Sequence, residues 1–428
     1  MRYECYNIKE LYDKFVQFPF ICTDTRKILP NSLFFCLKGE NFDGNLFVNE
    51  ALEKGAQYVI CDKQYITEEK DNDAIIKVDD VLQTLQQLAH YHRRQLKIPI
   101  IGITGTNGKT TTKELLACVL SKKYNTAYTQ SNLNNHIGVP LTLLSIKKEH
   151  EIAIIEMGAN HTGEIETLCH IAEPEYGLIT NIGKAHLEGF GSVENIIETK
   201  TALYRAANVL FVNEENEILR NEVRDMLLKG QTKEIVFFGK NDIHCTPQTN
   251  PYLIVELFGH QIQTQLTGNY NIPNMLAAAT IGRYFGVTEQ DICNAIATYT
   301  PTNNRSQIIK NKTNTIIADC YNANPSSMQA ALENFLQIEA THKLAILGDM
   351  LELGNSSAKE HQALIDFCEA NHLETIFIGT HFYSMKNNRF HFFTHAEECN
   401  RYLETHKIEN TLLLLKGSRG IHLEKITI

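Results

Sequence analysis

The chain has 428 residues, too many for one ordinary hydrophobic core, and a length prior points to about three domains. Its apolar fraction of 43% and charged fraction of 21% are those of a soluble globular protein. A net charge of −10 offers no electrostatic footprint for nucleic acid or an anionic membrane, and no apolar run approaches the roughly 18 residues of a membrane span. The eleven cysteines form no Cys-x-x-Cys pair and follow an N-terminus without a signal-peptide core, so they read as reduced thiols of a cytoplasmic protein.

In chain order, residues 1 to 97 carry short apolar runs at 33–37, 58–60 and 74–76, then a helical stretch through Leu82, Leu85, Leu88 and Ala89. A boundary is expected at Leu96-Lys-Ile-Pro99. From 98 to 299, strand-like runs (100–104, 152–155, 177–180, 209–212, 235–238) alternate with helical periodicity, which predicts a mostly parallel sheet covered by helices. Residues 252–258 and 261–266, joined by Gly259-His260, read as an antiparallel hairpin on that sheet's edge. The alternation returns in 300–428 with runs at 315–318, 344–347, 375–378 and 412–415, the pattern of a small doubly wound domain. The expected fold class is therefore α/β, in three domains.

The central segment opens with Ile100-Ile-Gly-Ile-Thr-Gly-Thr-Asn-Gly-Lys-Thr110, an apolar run that ends in a glycine-rich turn, and a helix-forming stretch follows. Strand, glycine loop and helix together make a phosphate cradle. The glycines let backbone amides approach the oxygens, and the helix N-terminus adds partial positive charge. Lys109 would reach the terminal phosphates and Thr110 would sit on Mg²⁺. The residue five before Gly108 is Ile103, so the pattern is a shorter Gly-Thr-Asn-Gly-Lys-Thr loop and not the G-x-x-x-x-G-K-[ST] form.

Polar clusters stand where the strand-like runs end. Glu156, after Ile154-Ile155, suits a magnesium ligand or a cap for the helix near 163–166. His186, beyond Thr180-Asn181, reads equally as a metal ligand or a hydrogen-bonded loop histidine. Lys200, in a helical stretch, reads by itself as a solvated lysine. Asp319 suits a ribose hydroxyl, an ammonium group or an Asx-turn. With the turns at 347–354 and 415–419, it marks a binding face on the last sheet.

Taken together these segments resemble the Mur ligase family over nearly the whole length. Asp24-Thr-Arg-Lys27 and Leu37-Lys-Gly-Glu-Asn-Phe-Asp-Gly44 resemble its first domain. Gly105-Thr-Asn-Gly-Lys-Thr110, Asn132-Leu-Asn-Asn135, Glu156-Met-Gly-Ala-Asn-His161 and Ala185-His-Leu-Glu-Gly-Phe-Gly191 resemble its ATPase domain. Asn269-Tyr-Asn-Ile-Pro-Asn274, Asn304-Arg305, Tyr321-Asn-Ala-Asn-Pro325, Leu347-Gly-Asp-Met-Leu-Glu-Leu-Gly354 and Lys416-Gly-Ser-Arg419 resemble the rest. The 321–325 and 347–354 segments are similar to the members that join D-alanyl-D-alanine to UDP-N-acetylmuramoyl-tripeptide. Ala318 and Cys320 depart from the family pattern, which expects an acidic residue and a serine there.

The resemblance implies a C-terminal Rossmann-like domain, a UDP-sugar domain at the N-terminus and an ATPase between them. It implies that Gly105, Thr106, Asn107, Gly108, Lys109, Thr110 and Thr111 hold ATP, with Asn274 and Arg305 contacting it from either side and Asp319 binding its ribose. Thr110 and Glu156 would bind one Mg²⁺, and His186 and Lys200 a second, Lys200 as a carbamate. Asn134 and Asn135 would line the muramoyl-peptide channel. Thr25 and Arg26 would bind the UDP end, and Asn322, Asn324 and Asp349 the dipeptide. A monomer working in the cytoplasm without nucleic acid or membrane insertion completes the expectation. Two alternatives are a related ligase acting on another muramoyl peptide or on folate, and a catalytically silent nucleotide-binding scaffold.

Overall fold

The structure, a computed structural model, describes residues 7–65, 72–183, 187–239, 243–245 and 251–428. Three helix-covered sheets follow one another along the chain. The first has four parallel strands in the order Phe20–Cys22, Ser32–Phe35, Ala56–Asp62, Ile75–Val78. The second has six, all parallel: Glu234–Phe238, Val209–Asn213, Tyr176–Ile179, Ile100–Thr104, Ile152–Glu156, Thr126–Tyr128. The third runs Gln307–Lys310, Thr315–Asp319, Leu412–Lys416, Lys343–Gly348, Thr375–Ile378, His391–Phe393, with its first strand antiparallel and the rest parallel. Parallel strands are buried on both faces, which is why Ile152–Glu156, Thr375–Ile378 and Leu412–Lys416 are uniformly apolar or buried.

The expected hairpin exists, but not on the edge of the central sheet. Ile254–Leu257 and His260–Gln263 pair antiparallel, and Ile243–Cys245 joins them in a separate three-stranded sheet. Its buried side chains, Val255, Leu257 and Ile262, pack into the core beneath the phosphate-loop helix. Alternating apolar residues announce a half-buried hairpin, but not which surface it covers.

The hydrophobic cores do not follow the three sheets one to one. A single cluster runs from Leu11 and Phe15 through Leu85 and Leu88 to Ile155, Leu203 and Met226, so the N-terminal part and one face of the central sheet share a core. Helix Val81–Gln95, capped by the Asp80 side chain, packs on Gly138–Leu144 and Glu164–Ala172. Arg93, buried at the end of that helix, donates to the carbonyls of Ala172 and Glu173 and pairs with Glu175, fastening the junction. The C-terminal sheet has cores of its own on its two faces.

Candidate active site

The strand Ile100–Thr104 stops at Gly105 because the next turn needs backbone that only glycine adopts easily. Gly105 has φ +146°, and a Cβ there would stand 2.0 Å from Thr180 Oγ1. Gly108, at φ +80°, precedes the helix Lys109–Leu120, and a Cβ on it would stand 2.5 Å from Asn274 Oδ1. The loop is pinned from the neighbouring strand end. Asn181 Oδ1 accepts from the Asn107 amide at 3.0 Å, Thr180 Oγ1 donates to the Asn107 carbonyl at 2.6 Å, and Thr106 Oγ1 accepts from the Gly183 amide at 2.9 Å. Lys109 Nζ folds over the loop onto the carbonyls of Gly105 and Thr106, at 2.8 and 3.1 Å.

Around this loop lies a cavity of about 580 Å³. The central part contributes Thr106, Asn107, Gly108, Lys109, Thr110, Thr111, Asn134, Asn135, Glu156 and Asn274. The C-terminal part contributes Arg305, Asp319, Asn322, Asn324, Tyr321 and Lys416. Residues separated by two hundred positions meet here directly. Asn324 Nδ2 donates to Asn107 Oδ1 at 2.8 Å, and Asn107 Nδ2 donates to Ser326 Oγ at 3.1 Å. Asn324 also caps the helix Pro325–Gln337 through a reciprocal pair of bonds with Ser327, which fixes the helix start beside the loop.

Glu156 is 1% exposed at the end of its strand and bonds to Thr110 and Asn134 instead of to the helix Glu164–Ala172, so the helix-cap alternative does not hold. One oxygen of Glu156 accepts from Thr110 Oγ1 at 3.1 Å and Asn134 Nδ2 at 2.8 Å. The other is buried and accepts no hydrogen bond. A buried carboxylate oxygen that accepts no hydrogen bond is costly even with the Lys113 ammonium 3.8 Å away, and beside a threonine hydroxyl at a phosphate loop it suits a hard divalent cation. Among the described residues no three His, Cys, Asp or Glu side chains gather to hold a metal. Mg²⁺ ordinarily relies on one or two protein oxygens with phosphates and water.

Lys200 is not a solvated lysine. It is 3% exposed, its Nζ donates to the Gly105 carbonyl at 3.1 Å, and it lies 5.8 Å from the Phe190 ring centre. Burial, with a smaller push from the charge of Lys109, lowers its pKa to about 7. Lys109 is lowered to about 8 by burial, against the opposing pull of Glu156. His186 lies outside the described residues, so neither of its readings acquires a geometry.

Several expectations meet a different environment. Asp349 is 1% exposed and outside the cavity lining. Its oxygens accept from the His381 and Phe382 amides at 2.8 and 2.9 Å, capping the short helix Thr380–Tyr383. Contrary to the expected dipeptide role, the Asp349 carboxylate serves a helix N-terminus and does not face the cavity. Asp319 does line the cavity, but Oδ2 is paired with Lys416 Nζ at 2.7 Å and Oδ1 accepts from the Ser306 amide at 3.1 Å. Asn322 Oδ1 accepts from the Ala323 amide, and Asn135 Oδ1 from those of Ile137 and Gly138. Thr25 and Arg26 lie in the first part, away from this cavity, and Arg26 is paired with Asp24 on the surface. The Arg305 guanidinium stacks on the Tyr321 ring, 3.8 Å from its centre. The sequence pointed to no individual role for Lys113, or for Lys416 beyond its place in the 416–419 segment, and both are 2% exposed or less. Their position four residues after Lys109 and at a strand end was the available signal.

A glycine loop between a parallel strand and a helix, facing a second α/β sheet across one polar cavity, defines a three-part phosphate-loop protein. The chain belongs to the Mur ligase family. Its models match as Mur ligase family, catalytic domain at residues 17–93, Mur ligase middle domain at 103–282, and Mur ligase, glutamate ligase domain at 304–419. The chain is 34% identical to the UDP-N-acetylmuramoyl-tripeptide–D-alanyl-D-alanine ligase of Bacillus subtilis (strain 168), over 95% of this chain and 92% of the relative. It superposes on a crystal structure of MurF from Acinetobacter baumannii with TM-score 0.84 and 32% identity, covering 95% of this chain and 92% of that one. For MurF ligase from Thermotoga maritima in complex with ADP the TM-score is 0.82 at 27% identity, with 95% and 96% covered.

Proposed function

We propose that the protein joins D-alanyl-D-alanine to UDP-N-acetylmuramoyl-tripeptide at the expense of ATP, giving the UDP-muramoyl-pentapeptide of peptidoglycan synthesis. The observation that carries this reading is the cavity itself. A phosphate loop and a buried acidic oxygen face, across one space, the Tyr321-Asn-Ala-Asn-Pro325 segment, one of the two that resemble the D-alanyl-D-alanine-adding members of the family. Residues 1–97 hold the UDP-sugar, 98–299 hold ATP, and 300–428 present the dipeptide and part of the nucleotide site.

A carboxylate does not acylate an amine directly. The γ-phosphoryl group passes to the terminal carboxylate of the tripeptide, forming an acyl phosphate and ADP. The dipeptide amine then attacks the acyl carbon, and phosphate leaves the tetrahedral intermediate. The first step brings anionic oxygens together, and the loop amides, Lys109 and Arg305 supply opposing charge from a partly buried setting. Lys109 releases the Gly105 and Thr106 carbonyls to reach the phosphates. Thr110 and Glu156 would hold one Mg²⁺, whose bound form adds positive charge to the phosphate oxygens. His186, and Lys200 as a carbamate, would hold a second ion, since a plain amine is no ligand for Mg²⁺ while a carbamate would supply hard oxygens. Asn134 holds Glu156 from the side of the muramoyl peptide, with Asn135 beside it. Asn274 and Asp319 flank the nucleotide, and Asn322 and Asn324 face the dipeptide. Closing the parts around the reactants supplies proximity worth up to roughly 7–11 kcal/mol and keeps water from the acyl phosphate.

Phosphate release measured across acceptor and amine pairs tests the reading. Turnover should require UDP-muramoyl-tripeptide and D-alanyl-D-alanine together. Equal turnover with single amino acids in place of the dipeptide would assign the chain to a different ligase activity.

A further inference from the structure

The phosphate-loop helix carries a buried charge that the chemistry above leaves unused. Lys113 is 1% exposed, beneath the Tyr128 ring, and its Nζ lies 3.8 Å from Glu156 Oε2 and 3.8 Å from Glu114 Oε1. One ammonium thus stands between two carboxylates and is drawn by both. Glu114 in turn grips the segment that leads into the C-terminal sheet. Its Oε2 accepts from the Tyr299 hydroxyl at 2.7 Å, and Asn303 Nδ2 donates to Oε1 and Oε2 at 3.0 and 3.1 Å. Asn303 Oδ1 is buried and accepts no hydrogen bond, so the latch closes with a polar atom unsatisfied. Just beyond it, Asn304 and Ser306 have φ of 55° and 54°, a left-handed backbone that side-chain-bearing residues seldom hold. Between them sits Arg305, which lines the cavity.

We propose that Lys113 is a positioning residue that couples cation binding at Glu156 to the hold of Glu114 on the 299–306 linker. The inference rests on the reading of Glu156 as a Mg²⁺ ligand. A divalent cation at Glu156 cancels that carboxylate's charge and repels the ammonium, whose remaining partner is Glu114. Lys113 then competes with Asn303 for Glu114 Oε1. The latch loosens, and the C-terminal part turns on its left-handed linker. Without the cation, Lys113 is drawn back toward Glu156 and Glu114 keeps Tyr299 and Asn303. A lysine suits this task, because low local dielectric strengthens both attractions and a flexible four-carbon stem lets the head move while its helix stays fixed.

Hydrogen exchange of the linker amides in the full-length protein tests the coupling, with ADP held constant and Mg²⁺ varied. In the wild type, Mg²⁺ should speed exchange across 299–306. In Lys113→Met the linker should no longer respond, and Mg²⁺ should bind severalfold more tightly because its competitor at Glu156 is gone. A lysine with only a packing role would leave Mg²⁺ binding unchanged or weaken it. Glu114→Gln, which keeps the shape and loses the charge, should exchange fast with or without Mg²⁺. Linker exchange that follows Mg²⁺ in both variants as it does in the wild type overturns the coupling while leaving the metal reading intact. Glu156→Gln with unchanged Mg²⁺ binding overturns the metal reading, and the coupling with it.

Discussion

Lys109, Lys113 and Lys200 share one buried neighbourhood with Glu156, and burial lowers the proton affinity of all three lysines. Such a cluster is costly by itself and is relieved by an anion, which is what a phosphate chain supplies. Lys109→Ala removes a charge aimed at the phosphates and little packing. It should cut ATP turnover by about 10²–10³ with the melting temperature nearly kept, and a near-normal kcat would mean that the loop does not meet the reacting phosphates. For Lys200 the sign follows from its two proton affinities. The unfolded chain keeps this proton up to about the ordinary 10.5, and the folded chain releases it near about 7. Between those values the unfolded state binds more protons, so this group's contribution to stability rises with pH and is lost as pH falls. In CO₂-free buffer, Lys200→Met should therefore show a flatter stability profile across that window than the wild type. Parallel profiles would mean that Lys200 keeps an ordinary pKa. Near its lowered pKa a neutral amine is available to take up CO₂, so Lys200→Ala should be almost inactive and partly rescued by short carboxylates.

At the scale of the element, the phosphate loop depends on two glycines for different reasons. At Gly105 the obstacle is the Thr180 hydroxyl and backbone beside it; at Gly108 it is the Asn274 side-chain amide, which moves only by giving up its bonds to Thr112 and Asn271. Gly105→Ala should cost more than about 1 kcal/mol of stability, from the unfavourable φ and the clash. Gly108→Ala, also strained by its positive φ, should destabilise less than Gly105→Ala, because its obstacle is a side chain and not backbone, but should lose ADP affinity as Asn274 is displaced. Denaturant titration and calorimetry of ADP binding separate the two, and equal effects on both measurements would mean that the loop acts as one rigid piece. Asn274 lines the cavity, and its side chain is held by Thr112 and Asn271, so it braces the loop from behind.

In the whole molecule, the shared core from Leu11 to Met226 makes the N-terminal and central parts one cooperative body, while the C-terminal sheet is built on separate cores. Calorimetry of the full chain should resolve two unfolding transitions. Arg93→Met leaves the carbonyls of Ala172 and Glu173 without their donor, at about 1–3 kcal/mol, and should lower the larger transition only. A single transition, moved as a whole by Arg93→Met, would show that the C-terminal part unfolds with the rest. Among the described residues no helix is long and apolar enough to cross a membrane, and the nine cysteines whose side chains are described are free thiols, eight of them buried.

The sequence by itself determined the strand–glycine loop–helix, the alternating α/β pattern of the central and C-terminal parts and the family, because each is a local signal: periodicity, a turn that only glycine allows, or a motif read in order. Glu156 was legible for the same reason, as a carboxylate where a buried run ends. The tertiary structure alone decided that Asp349 is a helix cap, that Lys200 is buried, that the hairpin leaves the central sheet, and that Glu114 holds Tyr299 and Asn303. In each of these the deciding partner lies tens to hundreds of residues away. A side chain's exposure, and whether its oxygens are already spent, depend on what packs against it, which no local pattern of residues encodes.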